Sequence, residues 1–323
     1  MFFQCKEKGC HRVSESDFLL YQCPYCGSSQ IEEIDENEVK KEQWSEMGIV
    51  AFSQMVDERQ KERGVYYFQR AAMLGDSTGI CNLAWCYENG FCVEEDMITA
   101  IWLMEQAVEL GNVVAMCNLG YAYEMGDGVE KDSNKAVELY QKAYERGSTR
   151  AGYYLGRCYL YGLTEVDYEQ AATYFKESAE EGYIPAIVEL ARCYHLGLGV
   201  PQSDAEAVNL YYNAAQKGEG YAQVCLGEMY ERGLGFGANT GGMKNHLERA
   251  VYWYKKAADQ QYPEGQLHLA KCYAKGIGVE TDYEQAEYYV RQTLDENEEG
   301  SSTAKNLLNW IEQQKKNIEE QEC

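Results

Sequence analysis

Proline is scarce in this chain, four in 323 residues, so long stretches are free of the residue that most often ends or kinks a helix. Long apolar runs are missing too. Nowhere do about 18 consecutive apolar residues occur, which excludes a conventional membrane-spanning helix. Basic residues are in the minority, 29 Lys and Arg against 53 Asp and Glu, for a formal net charge of −24. That balance speaks against non-specific binding to nucleic acid or to anionic membrane, and it favours basic partners unless positive charge is locally concentrated. Histidine is rare and scattered, at His11, His195, His246 and His268. No HExxH, GxSxG or P-loop spacing occurs, so neither a convergent nucleophile, base and oxyanion donors nor an open metal site can be read. The expectation is a chain without catalytic activity. Its opening, MFFQCKEKGCHR, lacks the basic segment and apolar stretch of a secretory signal, which leads us to expect a cytoplasmic protein.

Cysteine, by contrast, is plentiful. Thirteen cysteines, an odd number without an export signal, fit a reducing compartment better than a disulfide scaffold. They fall into two groups. Cys5-x4-Cys10 and, twelve residues later, Cys23-Pro24-Tyr25-Cys26-Gly27 have zinc-ribbon spacing. Four thiolates in two short-spaced pairs close a tetrahedron around one structural Zn²⁺, leave no open position for substrate, and supply folding energy to a segment too short for its own core. Phe18–Tyr21 is expected to be the strand leading into the second knuckle. Competing readings are four free cysteines in a disordered leader, His11 replacing one sulfur, and a redox CPYC; the last needs a βαβ context that does not follow. The acidic run Ile31–Glu38, IEEIDENE, reads as a solvated linker.

Most other cysteines lie inside a repeat. The segment Val113–Ser148 recurs with a period of 36: Leu119, Tyr123 and Gly126 fall on Leu155, Tyr159 and Gly162, and Ala136 falls one residue off Ala171. Ala115, Leu119, Ala122 and Tyr123 share one face of a helix. Gly126-Asp127-Gly128-Val129 supplies glycines for left-handed backbone, with Val129 tucking back beneath the helix. Asp132 is placed to cap a second helix whose buried stripe is Ala136, Leu139, Tyr140 and Ala143. The Leu-x2-small-Tyr signature appears six times, from Leu83/Cys86/Tyr87 to Leu269/Cys272/Tyr273, and a degenerate pair precedes it, with Trp44–Met55 as its first helix and Tyr67, Phe68 and Ala71 on its second. Cys86, Cys158, Cys193 and Cys272 share a column with Ala122 and Met229, which marks them as packing residues. About seven extra residues between Gly233 and Ala250 read as a loop on one face.

These residues resemble the Sel-1-like repeats, relatives of the tetratricopeptide repeats, over roughly residues 44 to 295. The resemblance implies an all-α, right-handed α/α superhelix of about seven helix pairs serving as an adaptor for protein complexes. Some bacterial members are reported as cysteine-rich β-lactamases, but the paired cysteines that link their helices are absent here. The expected organisation is a zinc-ribbon-like segment at 1–38, the repeat array at 39–300, and a C-terminal capping helix at 301–323.

In such a superhelix the first helix of each pair lines the concave surface. On a wheel of about 100° per residue, the stripe beside the buried one carries Asn82, Trp85 and Asn89, then Asn118 and Tyr121, then Tyr154, Arg157 and Tyr161, and further on Arg192, Arg232 and Lys271. Asn82 and Asn118 are suited to bonding the backbone of an extended protein or peptide ligand, and Trp85 and Tyr121 offer flat area at low entropic cost. The cations, with Arg150 and Lys275, favour an acidic partner segment. A solvated helix surface with aromatics packed between repeats is the plain alternative. The rival functions are a nucleic-acid-associated zinc-ribbon regulator, disfavoured by the acidity of residues 1–38, and a β-lactamase-like hydrolase.

Overall fold

A computed structural model describes residues 2–5, 13–15, 31–53, 58–236, 242–294 and 302–322. It divides into two compact units, Met1–Ala151 and Gly152–Cys323.

Unit 1 opens with three short strands, β1 (Phe2–Cys5), β2 (Val13–Glu15) and β3 (Ile31–Ile34), in the antiparallel order β2-β1-β3. Phe2 lies opposite both Glu15 and Ile34, and Cys5 lies opposite Ile31. Residues 31–34 are therefore not a linker. They pair with the first residues of the chain, and a 3-10 turn at Glu36–Glu38, capped by Asp35, leads onward. The stretch Phe18–Tyr21 lies outside the described residues.

Next come the helix pairs α1 (Lys41–Ser53) and α2 (Glu58–Met73), α3 (Ser77–Glu88) and α4 (Met97–Glu109), and α5 (Val113–Met125) and α6 (Ser133–Glu145). The sheet docks on the first pair. The Phe2 ring meets fully buried Trp44 edge-on at 5.2 Å, and Ile34 joins the cluster of Val39, Trp44, Met47, Tyr67 and Ala71.

The reference repeat, α5 and α6, shows how sequence sets the pairs. Asn112 Oδ1 accepts from the amides of Val114 and Ala115, and Gly126, at φ 80°, ends α5 in left-handed backbone. The chain then folds back so that the Asp132 amide reaches the Tyr123 carbonyl at 2.9 Å. Asp132 caps α6 by accepting from Asn134 and Lys135 at 3.1 Å each, satisfying donors that a helix start leaves unpaired. Val129 packs against the unit 1 core. Gly120 gives the helices room: a Cβ there would lie 2.7 Å from the ring of Tyr140, which is fully buried while its hydroxyl donates to Glu124 at 2.8 Å. Tyr123, expected inside, is only half-buried, with the Lys135 ammonium 4.9 Å from its ring.

Unit 2 repeats the scheme. Helix α7 (Thr149–Tyr161) crosses the unit boundary. It is followed by α8 (Tyr168–Glu180), α9 (Ile184–Leu196), α10 (Asp204–Gln216), α11 (Gly220–Arg232), α12 (Gly242–Asp259), α13 (Pro263–Lys275), α14 (Tyr283–Gln292) and α15 (Ser302–Glu322). Tyr254 repeats the part of Tyr140, its ring over Gly227 and its hydroxyl 2.8 Å from Glu231. The extra length before Ala250 is partly helical. Residues from Gly242 extend α12 to 18 residues, and before it Phe236 stacks on Tyr230 at 4.2 Å and meets His246 edge-on at 5.2 Å. At the far end, Ala304, Leu307, Leu308 and Ile311 of α15 bury against Ala270, Ala274, Ala286 and Val290.

The cysteine column is core. Cys86, Cys158, Cys193 and Cys272 are all buried. Burial pushes the Cys193 thiol up to about 11, and those of Cys86 and Cys272 to about 12, so these sulfurs behave as small apolar groups.

Candidate interaction face

In unit 1 the first helices α3 and α5 expose the stripe expected from the wheel. Asn82, Trp85 and Asn89 from α3 and Asn118 and Tyr121 from α5 border one open hollow of about 430 Å³. Trp85 is 38% and Tyr121 41% exposed. The Trp85 ring is braced from behind by Phe52 at 5.8 Å and Phe91 at 5.6 Å, so its open face is held rigid. Asn89 serves the helix instead of the hollow alone: its amide donates to the Trp85 carbonyl at 2.9 Å and closes the end of α3. Two further lining residues, Cys81 and Glu88, are absent from the stripe read in the sequence. They stand four residues before and three residues after Trp85, so the i, i+4, i+7 spacing was available to place them. The remaining lining residues are Val114 and Arg150. Burial pushes the Cys81 thiol up to about 11, opposed by Arg150 and helped by Glu88. The Glu88 carboxyl is itself raised, first by burial and then by the charge of Asp127.

In unit 2 the expected residues form small groups. Arg192 donates to Glu189 through Nε at 3.0 Å and through Nη2 at 2.5 Å, and Nη2 also reaches the Tyr161 hydroxyl at 2.8 Å. Its guanidinium lies 5.4 Å from the Tyr161 ring. Tyr154 and Arg157 both lie against Tyr153, at 5.5 and 5.9 Å. Glu228 takes His268 Nε2 at 3.2 Å and feels the charges of Arg232 and Lys271. The stripe here is thus mixed in charge, because Glu189 sits one turn before Arg192, where i, i+3 partners meet, and Glu228 feels the charges of His268, Arg232 and Lys271.

The Sel1 repeat pattern matches seven consecutive segments, 52–76, 77–112, 113–148, 150–183, 184–219, 220–262 and 263–297. The chain belongs to the Sel1 repeat family. Proteins of this family generally mediate protein–protein interactions. Among solved structures, a Sel1 repeat protein from Oxalobacter formigenes is 26% identical, with a TM-score of 0.66 covering 77% of this chain and 96% of that one. An uncharacterized protein of Neisseria meningitidis is 33% identical over 146 residues, 44% of this chain and 28% of its own length. Chitin synthase regulatory factor 2 of Schizosaccharomyces pombe is 28% identical over 129 residues, 38% of this chain and 24% of its own length. The chain therefore spans about a quarter of the length of these curated relatives.

Of the expected zinc ligands, Cys10, Cys23 and Cys26 lie outside the described residues, and Cys5 is described only as the last residue of β1. Among the described residues no three His, Cys, Asp or Glu side chains are grouped to hold a metal ion, and no helix is long and apolar enough to cross a membrane.

On the Sel1 face of unit 2, the Glu228 carboxyl is held below the usual glutamate range, first by its hydrogen bond from His268 and further by the charges of His268, Arg232 and Lys271, with burial opposing. A carboxylate with a depressed folded-state pKa stabilises the fold above its unfolded value, and that stabilisation is lost as pH falls through the folded one. His268→Ala is expected to move the Glu228 titration up toward the ordinary range. Carbon-13 NMR of the carboxyl across acidic pH would show it, and an unmoved titration would refute the assignment.

Proposed function

We propose that this chain is a non-enzymatic interaction scaffold, and that unit 1 holds an extended partner segment in the hollow between α3 and α5. One observation carries the reading. Five residues chosen from helical spacing border a single concavity of about 430 Å³, within the range of side-chain-sized binding clefts. Asn82 and Asn118, 36 residues apart, present amides at equivalent levels of successive repeats, matching the backbone groups of an extended chain. Trp85 and Tyr121 supply the aromatic anchors on which interface energy concentrates. The fission-yeast relative is by name a regulatory factor of chitin synthase, and regulation of another protein by holding it fits this design. The test is capture of a partner by the immobilised chain. Retention should fall when Trp85 and Tyr121 are both replaced by alanine in a variant that keeps its helical circular dichroism; unchanged retention would overturn the reading. A reducing, cytoplasmic setting belongs to the same proposal, supported by the packing role of the buried thiols.

We also propose that Cys5, Cys10, Cys23 and Cys26 hold one structural Zn²⁺. The sheet supports this. Cys5 ends β1, β2 begins three residues after Cys10, and β3 begins five residues after Cys26, opposite Cys5. The described strand ends that flank both cysteine pairs thus meet at one end of the sheet. Elemental analysis should find about one zinc per chain, lost in Cys23→Ser, and no zinc in the unmodified protein would sink the assignment.

A further inference from the structure

The outer face of α4 in unit 1 differs in chemistry from those of the helices that follow it in the same role. Ile98 and Trp102 stand one turn apart on it, 80% and 58% exposed. Glu105 and Glu109, both exposed, continue the same stripe one and two turns on. At about 100° per residue the four side chains fall within about 60° of the helix surface. Counted from the alanine column Ala100, Ala136, Ala171 and Ala207, the positions of the apolar pair hold Asn134 and Glu138 in α6, Glu169 and Thr173 in α8, and Ala205 and Asn209 in α10. The repeat therefore does not call for large apolar groups there, and exposed aromatic surface of this kind is what interfaces use as an anchor. The carboxylates are also without an answer on their own helix. Glu105 and Glu109 are four residues apart, where like charges repel, and α4, MITAIWLMEQAVE, contains no Lys or Arg. In α6 Glu138 is paired with Lys142 at 2.6 Å, whereas among the described residues Glu105 and Glu109 have no ion pair.

We infer that this face of α4 is a second docking surface, and that its occupant is a basic amphipathic helix of a partner protein. Two apolar residues of that helix, one turn apart, sit on Ile98 and Trp102, and Lys or Arg one and two turns further along lie over Glu105 and Glu109. From Ile98 to Glu109 is about 16 Å along the axis, so about three turns of partner helix cover the stripe. Charge complementarity decides among occupants. A second copy of the chain laid along α4 would set Glu105 and Glu109 against their own counterparts if parallel, and toward Glu94 and Glu95 if antiparallel, like charge on like in both cases. An anionic membrane is repelled by the same acids. The surface is separate from the hollow, which is bordered by α3, α5 and Arg150.

The test is selection against the full chain from a display library of helical peptides randomised on one face, followed by fluorescence anisotropy of a consensus peptide. Peptides retained by the wild type and lost on Trp102→Ala are expected to carry an apolar pair four residues apart, with Lys or Arg one to two turns beyond it. Trp102→Ala should weaken the consensus peptide about thirtyfold. Glu105→Lys combined with Glu109→Lys should weaken it about tenfold at low salt, and less as salt rises. A peptide with Glu in place of its basic residues should instead prefer that Lys variant, an exchange that misfolding cannot produce. All three positions are exposed, so circular dichroism melts should stay near the wild type. Tyr121→Ala, in the hollow, should leave this peptide's binding unchanged, which separates failure of one surface from failure of the other. Trp102-dependent peptides without basic residues, or no Trp102-dependent peptide at all, would overturn the inference, as would a dimer in sedimentation that dissociates on Trp102→Ala.

Discussion

Alanine at Gly199 is expected to destabilise unit 2 by about 3–5 kcal/mol, the scale reached when a side chain is forced against immovable neighbours at a strained backbone position. Gly199 has φ 70°, and a Cβ built on it would lie 1.8 Å from the carbonyl oxygen of Tyr168 and 2.3 Å from its carbon. Those atoms belong to the first residue of α8, whose backbone is fixed by the helix and its cap, so no rotamer change can make room. The turn between α9 and α10 therefore rests on the start of the preceding second helix. Gly235 and Gly278 repeat the contact against the carbonyls of Asp204 and Leu247, each at 2.4 Å. Gly182 provides the control. It has φ 83° but nothing within 4 Å of its Cβ position, so Gly182→Ala should cost only about 1 kcal/mol for left-handed backbone. Thermal melts of the two variants should differ by roughly 4–16 °C, with the loss of amide protection in Gly199→Ala centred on α8 to α10. Equal melts would show that the close approach is not what holds this turn. Cys92 occupies the corresponding turn in unit 1 with φ 52°, so positive φ alone does not require glycine there; the carbonyl underneath does.

Removing both Trp85 and Tyr121 side chains is expected to weaken partner binding by at least about thirtyfold, since a single aromatic hot spot contributes about 2 kcal/mol or more. The two are not equal. Tyr121 is 41% exposed, so Tyr121→Ala should hardly touch stability. Trp85 also packs on Phe52 and Phe91, so Trp85→Ala should cost both binding and about 1–2 kcal/mol of stability. Trp85→Phe, which keeps an aromatic platform, should recover part of each. A variant pair that melts near the wild type yet no longer holds its partner would place the energy in the hollow. Binding that tracked stability alone would remove it from there.

The legible part of this fold is the part that repeats. The 36-residue period placed Leu119, Gly126, Asp132 and Ala136, and the structure gives each the expected role, because local rules of capping and helical spacing act within a few residues. The strand Ile31–Ile34 was not legible. Its two isoleucines are three apart and do not alternate, its acids suggest solvent, and its partner is the far start of the chain. The helical start at Gly242 was hidden by a glycine-rich sequence whose neighbours, Phe236 and His246, pack on Tyr230. On the candidate site, Asn82, Trp85, Asn118 and Tyr121 followed from the wheel. The role of Asn89 in closing its own helix and the neutralisation of Arg192 by Glu189 did not, since a wheel says which residues share a face and not which bond one another. Glu88 escaped for a simpler reason: the stripe runs through Asn82, Trp85 and Asn89, and Glu88 stands one residue before the last of them.

Trp44 stands on the first helix of the array and is nonetheless fully buried, under Phe2 and beside Val39 and Met47. In a stacked architecture the place above a first pair belongs to the pair before it. Here side chains of a small sheet, Phe2 and Ile34, fill that place. The face that Trp44 would otherwise turn to solvent is thus closed from within the same unit, by the small sheet that precedes the first helix pair.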